Sequence, residues 1–209
     1  MSILLIESQY FGAISYYKKI LEYEDILIEA HDFYVKMSFR NRCMIPGANG
    51  LINLSVPIEK GRNYRQLMQD VKISYRENWI NQHMRTIDSC YNRAPFFEYY
   101  RDDLFSILNK KHELLLSLNT ALLSWVFKNF KINKTVNFTH TFHTSLLSNT
   151  IDSRNCILPK NFQTTDTEHI KYLQVFEDRI GFMPNMSIID LLFCAGPTAI
   201  NLLISNDNQ

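Results

Sequence analysis

Two arginines flank an asparagine in Phe39-Arg40-Asn41-Arg42-Cys43, a short segment dense in directional polar chemistry. A guanidinium presents a rigid fork of N–H donors and stays charged inside proteins, while a carboxamide both donates and accepts. Arg40 and Arg42 are therefore equipped to grip a carboxylate or phosphate, with Asn41 setting its orientation. The same spacing would serve two arginines that pair with acidic neighbours on a sheet edge.

A second candidate is His83. With Trp79, Thr86 and Cys90 it follows the 3, 4 spacing of a helix, beside an apolar stripe of Ile80, Met84, Ile87 and Tyr91. That places it at the edge of the core, where an imidazole titrates near neutrality and serves as acid or base, or else simply bonds a carbonyl. His140 and His143 stand three apart in strand-like surroundings that turn them to opposite faces, with no carboxylate at a suitable offset, so no metal site is expected. Cys90 reads as a packing residue, because no neighbouring cation lowers its pKa. The sequence holds no glycine-rich phosphate loop, GxSxG elbow or HExxH helix, and no cofactor is expected.

Alternating elements must position these groups. Ile3 to Ile6 is an apolar run suited to a buried strand, Phe11 to Leu21 carries helical spacing through Ile14, Tyr17, Ile20 and Leu21, and Asp25 to Ala30 is again strand-like. A strand, helix, strand unit of this length makes a parallel pair. Ligands of such sheets sit beyond the carboxyl ends of the strands, so Glu7 to Phe11 and Glu29 to Asp32 should face one crevice that the Arg40 to Arg42 segment can reach. Leu51 to Ile58 reads as a strand after Ala48-Asn49-Gly50. Beyond Glu77 the period becomes helical. One stripe contains His83, a second helix opens at Pro95 with Phe97, Tyr100, Leu104 and Leu108, and a third carries Leu115, Leu118, Leu122, Trp125 and Val126. Val136 to Phe138 returns to strand composition, 144–166 is polar and loop-rich, and Ser187 to Phe193 reads as a short helix ended near Gly196-Pro197. The expected fold is α/β, a parallel-sheet core with a helical middle segment, in one domain over 1–204 followed by a disordered tail at 205–209.

The chain has 209 residues, 46% of them hydrophobic, enough to bury a full core. Lys and Arg number 22 against 21 Asp and Glu, and a net charge of +1 supplies no global field for nucleic acid. Four scattered cysteines without a CxxC pair suggest neither a zinc knuckle nor a disulfide framework. No basic leader and no long apolar span are evident, and a cytoplasmic, soluble protein is the expectation.

The residues together resemble the WbqC-like proteins. The resemblance rests on Tyr10-Phe11 with Ile14 to Tyr17, on Glu29, Tyr34 and Lys36 leading into Ser38 to Cys43, and on Ala48-Asn49-Gly50 with Leu54 to Pro57. It continues through Trp79, His83, Arg85, Thr86 and Ile87, then Tyr91 and Arg93 to Phe96, then Tyr172 with Gln174 to Phe176, and finally Gly181-Phe182, Pro184-Asn185 and Asp190 to Phe193. Glu7-Ser8-Gln9 stands where the commoner form has a glutamine-proline pair, and Gly12 replaces a proline, as in a shorter branch of the family. The resemblance implies a bacterial protein of surface-polysaccharide (O-antigen) biosynthesis, a transferase moving an aminoacyl (glycyl) or acyl group onto an amino sugar. The strand, loop, helix opening is also similar to nucleotidyltransferase-like doubly wound folds, although no HxGH-type motif follows the first strand.

On this reading the substrates are small molecules: an amino sugar or sugar nucleotide, and an activated acyl or amino-acid donor. The implied catalytic residues are His83, as the base that takes a proton from the attacking amine, with Arg85 or Lys36 stabilising charge at the carbonyl. The implied substrate-binding residues are Tyr10, Glu29, Arg40, Asn41, Arg42, Asn49, Gln174 and Asn185. The competing reading is a noncatalytic module that binds a sugar nucleotide or a biosynthetic partner; a His83 buried away from the arginines would favour it.

Overall fold

A computed structural model describes residues 2–59, 65–142, 149–165 and 169–204. His143 and the tail lie outside these residues, so the expectations for both rest on sequence alone. Strand β1 (Ile3–Glu7) is built on the buried run Leu4, Leu5 and Ile6. Helix α1 (Ile14–Leu21) follows and turns Ile14, Tyr16, Tyr17 and Ile20 inward. Strand β2 (Asp25–Glu29) then pairs in parallel with β1, in a register that sets Glu7 beside Glu29. The crossover read from the sequence is thus present.

Strands β3 (Arg42–Gly47) and β4 (Gly50–Ser55) form an antiparallel hairpin, with Arg42 opposite Ser55 and Cys43 opposite Leu54. Alternation puts Cys43, Ile45 and Leu54 into the core. Gly50 adopts φ 118°, a conformation that favours glycine, as the chain leaves the Ala48-Asn49 turn.

The helical middle consists of α2 (Trp79–Tyr91), α3 (Phe97–Asn109) and α4 (Leu115–Phe130), whose inward faces are the stripes expected from spacing. Strand β5 (Thr135–Phe138) pairs in parallel with β2, and β6 (Thr150–Asp152) pairs in parallel with β1. Short helices α5 (Phe162–Thr165) and α6 (Glu177–Ile180) precede α7 (Ile188–Ala195) and α8 (Ala199–Ile204). Strand β6 and helix α5 fall in the stretch read as loop-rich. Three residues are too few to show a strand period, and β6 is defined by its ladder to β1 rather than by its own composition.

Among the described residues the parallel sheet has the order β5-β2-β1-β6. The chain steps outward from β1 through β2 to β5, then returns to the opposite side of β1. That reversal is a topological switch point, the place where open parallel sheets part at their carboxyl ends to admit a ligand. The mixed α/β class with a parallel sheet is thereby established. No described helix is long and apolar enough to cross a membrane.

Candidate functional site at the carboxyl ends of the parallel strands

Every strand of the parallel sheet delivers polar groups to one end. Glu7 closes β1 and Glu29 closes β2, Thr139 follows β5, and Asp152, Arg154 and Asn155 come at and after β6. Both glutamates are buried and fully engaged. Glu7 accepts from Gln9 Nε2 and from the Asn155 backbone N–H, each at 2.8 Å. Glu29 Oε1 accepts from the His31 backbone N–H at 2.8 Å and the Thr139 hydroxyl at 2.7 Å, and Oε2 accepts from Arg154 Nη1 at 2.9 Å. Arg154 also forks onto Asp152 through Nε (3.0 Å) and Nη2 (2.7 Å), and its guanidinium lies 5.0 Å from the centre of the Phe142 ring. The Asp152 carboxyl is held below its usual range by those bonds to Arg154.

Arg40 enters this cluster from the loop before β3. It is 1% exposed, donates from Nη1 to Asn155 Oδ1 at 2.8 Å, and sets Nη2 3.6 Å from Asp32 Oδ2. Among the described residues its Nε and Nη2 have no hydrogen-bond partner, Nη2 having only the longer ion-pair contact to Asp32. Leaving donors of a buried cation unmatched is costly, and such groups persist mainly where a site uses them. Asn119 of α4 holds the loop in place by donating to the Arg40 carbonyl at 2.8 Å and to Ser8 Oγ at 3.2 Å.

The cluster contains four carboxylates, Glu7, Glu29, Asp32 and Asp152, against two guanidiniums, Arg40 and Arg154. Its excess of acid suits a ligand that carries a positive amine, and the spare donors of Arg40 suit an oxygen on the same ligand or its partner. Asp32 and Asp152 are its most accessible carboxylates, with side chains 21% and 38% exposed.

The other sequence candidates are distributed differently. Arg42 is half-buried on the first residue of β3: its Nη1 meets Met37 Sδ at 3.4 Å, and its Nε, like that of Arg40, is buried with no hydrogen-bond partner among the described residues. Asn41 is buried and donates to the Val56 carbonyl at 2.8 Å, which ties the segment to the end of β4. Lys36 is exposed on the turn before it, and Arg85 is exposed on α2, two residues from His83 and hence on a different face. Asn49, exposed at the hairpin tip, accepts from Arg179 Nη2 at 3.1 Å.

His83 lies inside the core rather than at its edge, 4% exposed. Its Nδ1 is 2.9 Å from the Tyr10 hydroxyl, and the Ser55 backbone engages the ring as well. Burial pushes its pKa down to about 4, which leaves the ring neutral at pH 7. Tyr10 is itself wholly buried, with its hydroxyl driven up by desolvation. This pair is a strut between the first loop and α2.

Gln174 and Asn185 are also tied down. Gln174 Nε2 donates to Met183 O at 2.8 Å and Asp190 Oδ2 at 2.9 Å, while its Oε1 accepts from Met183 N at 2.8 Å. Asp190 accepts from the Tyr91 and Tyr172 hydroxyls too, and burial raises its pKa to about 6. Asn185 Oδ1 accepts from Ser15 N at 2.7 Å, capping α1, whose own N-terminal residue supplies no cap. A separate cleft of about 370 Å³ runs beside the end of α2, with Arg93 and Arg179 on its walls and Cys90 within it. It shares no lining residue with the sheet-end cluster. Its lining also includes Asp178.

Of the residues singled out from sequence, the sheet end gathers Glu29 and Arg40, together with Glu7 and Asp32 of the expected crevice. Gln9 and His31 fall in the same two expected segments, whereas Thr139, Asp152, Arg154 and Asn155 were not singled out. Strand-end position beside a crossover is the signal that pointed to Glu7 and Glu29. No comparable pattern surrounds Arg154. Among the described residues, no group of three or more His, Cys, Asp or Glu is placed to hold a metal ion.

Comparison with known proteins agrees with the resemblance read from the residues. The model of the WbqC-like protein family matches residues 7–157, the stretch that supplies every residue of the sheet-end cluster. Rv1507c of Mycobacterium tuberculosis, described as an uncharacterized protein, is 27% identical over 123 residues, covering 58% of this chain and 53% of its own length. The chain thus spans about half the length of that curated relative. No solved structure matches.

Proposed function

The chain belongs to the WbqC-like protein family, and from that premise we propose that it is a transferase of bacterial surface-polysaccharide biosynthesis, moving an aminoacyl or acyl group onto an amino sugar in the cleft at the carboxyl ends of β1, β2, β5 and β6. The observation that carries this reading is Arg40, a buried guanidinium with two nitrogens that make no hydrogen bond to the described residues, inside a cluster otherwise rich in carboxylates. An amine acceptor finds its counter-charge at Asp32 and Asp152. A carboxylate, phosphate or developing oxyanion finds donors on Arg40. Arg154, which donates to Glu29 through Nη1 and to Asp152 through Nε and Nη2, neutralises and positions those carboxylates.

The burial of His83 supports the second reading, a noncatalytic module that binds a sugar nucleotide or partner, because the base expected from sequence stands outside the cleft. One experiment separates the two. The full chain is screened by thermal shift against amino sugars, sugar nucleotides and amino acids, since a ligand of the native state raises the melting temperature. Binders are then incubated with acyl thioesters and aminoacyl donors, and the amide product is sought by mass spectrometry. Amide formation that Arg40→Lys abolishes, in a variant with unchanged far-UV circular dichroism, supports the transferase. Binding without product across the panel selects the binding module. A shift of equal size in wild type and Arg40→Lys removes the cleft from both readings.

A further inference from the structure

Glu29, Thr139 and His31 form a chain of hydrogen bonds at the carboxyl ends of two adjacent strands. The Thr139 hydroxyl donates to Glu29 Oε1 at 2.7 Å, while Thr139 Oγ1 accepts from the Ala30 backbone N–H at 3.0 Å and lies 3.4 Å from His31 Nδ1. A hydroxyl has one proton. Glu29, ion-paired to Arg154 and already receiving the His31 N–H, is an acceptor, so the Thr139 proton is committed to it. Toward the imidazole, Thr139 can then only accept. The contact therefore requires the proton of neutral His31 on Nδ1, and leaves the Nε2 lone pair with no partner among the described residues, on a part-buried ring just after the carboxyl end of β2.

We propose that His31 is the catalytic base of the cleft, with Nε2 accepting the proton of the attacking amine and Thr139 and Glu29 fixing its tautomer. The proposal rests on the transferase reading above. A nucleophile's base, oriented by a hydroxyl and a carboxylate behind it, is an arrangement whose parts are recognised by geometry rather than by sequence spacing. The 3.4 Å contact is long, as such bonds often are before substrate binds.

The step balances without an added oxidant or reductant. The bound ammonium first releases one proton to water, and the neutral amine nitrogen then attacks the carbonyl carbon of a thioester or acyl phosphate. The new N–C bond forms as the carbonyl π pair moves to oxygen, and the ammonium proton passes to His31 Nε2. The tetrahedral intermediate collapses, the C–S or C–O bond breaks, and the leaving group departs with the bonding pair. A thiolate recovers the proton from Nε2, whereas phosphate leaves as the anion and Nε2 releases its proton to water. The Nδ1 proton stays in place throughout, and its bond toward Thr139 and Glu29 strengthens while the ring is cationic.

Two measurements on the full chain test this. In protein labelled with ¹⁵N-histidine, with the His31 signals assigned by their loss in His31→Gln, long-range ¹H–¹⁵N spectra should show wild-type His31 protonated on Nδ1, and Thr139→Val should shift the population toward Nε2–H. A wild-type ring carrying its proton on Nε2 overturns the proposal whatever the activity. In the amide-forming assay, His31→Gln should lower kcat on the order of 10²-fold with KM unchanged, and Thr139→Ser should retain activity where Thr139→Val loses it. Undiminished kcat in His31→Gln overturns the base while leaving the transferase standing. No amide from wild type across the panel overturns the transferase, and the catalytic step falls with it even if the tautomer is as expected.

Discussion

The Tyr10 hydroxyl and His83 Nδ1 meet at 2.9 Å in the interior, joining the loop after β1 to helix α2 across 73 residues of chain. Neither atom reaches the sheet-end cluster through any described bond, so the pair acts on the stability of the scaffold. His83→Phe should lower unfolding free energy by about 1–3 kcal/mol, the cost of stranding a buried polar partner. It should leave amide formation at the wild-type kcat once the variant is folded. Urea denaturation and the transfer assay check the two halves separately; a large loss of kcat in a fully folded variant would return His83 to the chemistry.

His83 also makes folding pH-dependent. Its folded pKa of about 4 lies below the ordinary 6.5, so the unfolded state binds more protons between those values. The stabilisation is fully present above about pH 6.5 and is lost as pH falls toward 4, a difference of about 3 kcal/mol at 1.36 kcal/mol per unit. Denaturation curves of wild type and His83→Phe at several pH values should therefore converge on acidification.

Asp190 has the opposite sign. Its pKa rises from 3.8 to about 6 on burial, so its contribution is fully present below about pH 3.8 and lost as pH rises through 6, again on the order of 3 kcal/mol. The two slopes oppose one another between pH 4 and 6, and wild-type stability should be nearly level there. Asp190→Asn should unmask the His83 slope, with stability rising steeply with pH across that window. A level profile in Asp190→Asn would contradict the assignment.

Asn185 serves α1 rather than a ligand. It accepts from Ser15 N at 2.7 Å, donates to Ser15 Oγ at 2.8 Å and to the Phe162 carbonyl, and holds φ at 54°. Asn185→Ala should cost about 2–3 kcal/mol, combining a lost cap with the strain of a left-handed alanine. Asn185→Gly relieves the strain and should recover part of it. Thermal denaturation reads both, and ligand affinity measured well below the transition should not change.

Arg42 and Arg40 should separate clearly. Arg42 is half-buried and meets Met37 Sδ through Nη1, with no described bond to the sheet-end cluster, and Arg42→Ala should leave ligand affinity within about twofold. Arg40→Lys should weaken an anionic ligand by about 1.5–3 kcal/mol, as expected for charge-assisted hydrogen bonds. Isothermal titration with the tightest binder of the panel distinguishes them; equal losses would restore a two-arginine clamp.

Periodicity was sufficient for the elements whose order is local. The run Leu4 to Ile6 and the 3, 4 spacing of α1 to α4 each follow from neighbours within a few residues, and the parallel pairing of β1 with β2 follows from the length of the crossover; strand β3 and its hairpin with β4 were not read from the sequence. The pairing of β6 with β1 depends on a partner about 150 residues away, and its three residues show no period of their own. The crevice was legible because strand ends in a parallel sheet share one side, which brought Glu7 and Glu29 into view. Which polar side chain enters it is decided by tertiary packing. Arg40 and Arg42 are two residues apart in sequence, yet one guanidinium is sealed between Asp32 and Asn155 while the other, half-buried, lies against Met37. His83 falls on the core side of α2 because Tyr10 and Ser55 close over it. Arg154 and Thr139 reach Glu29 only because β5 and β6 flank the first crossover. Spacing along a chain fixes which residues share a face; which faces then meet, and which groups that meeting leaves with an unmade bond, is settled by packing at long range.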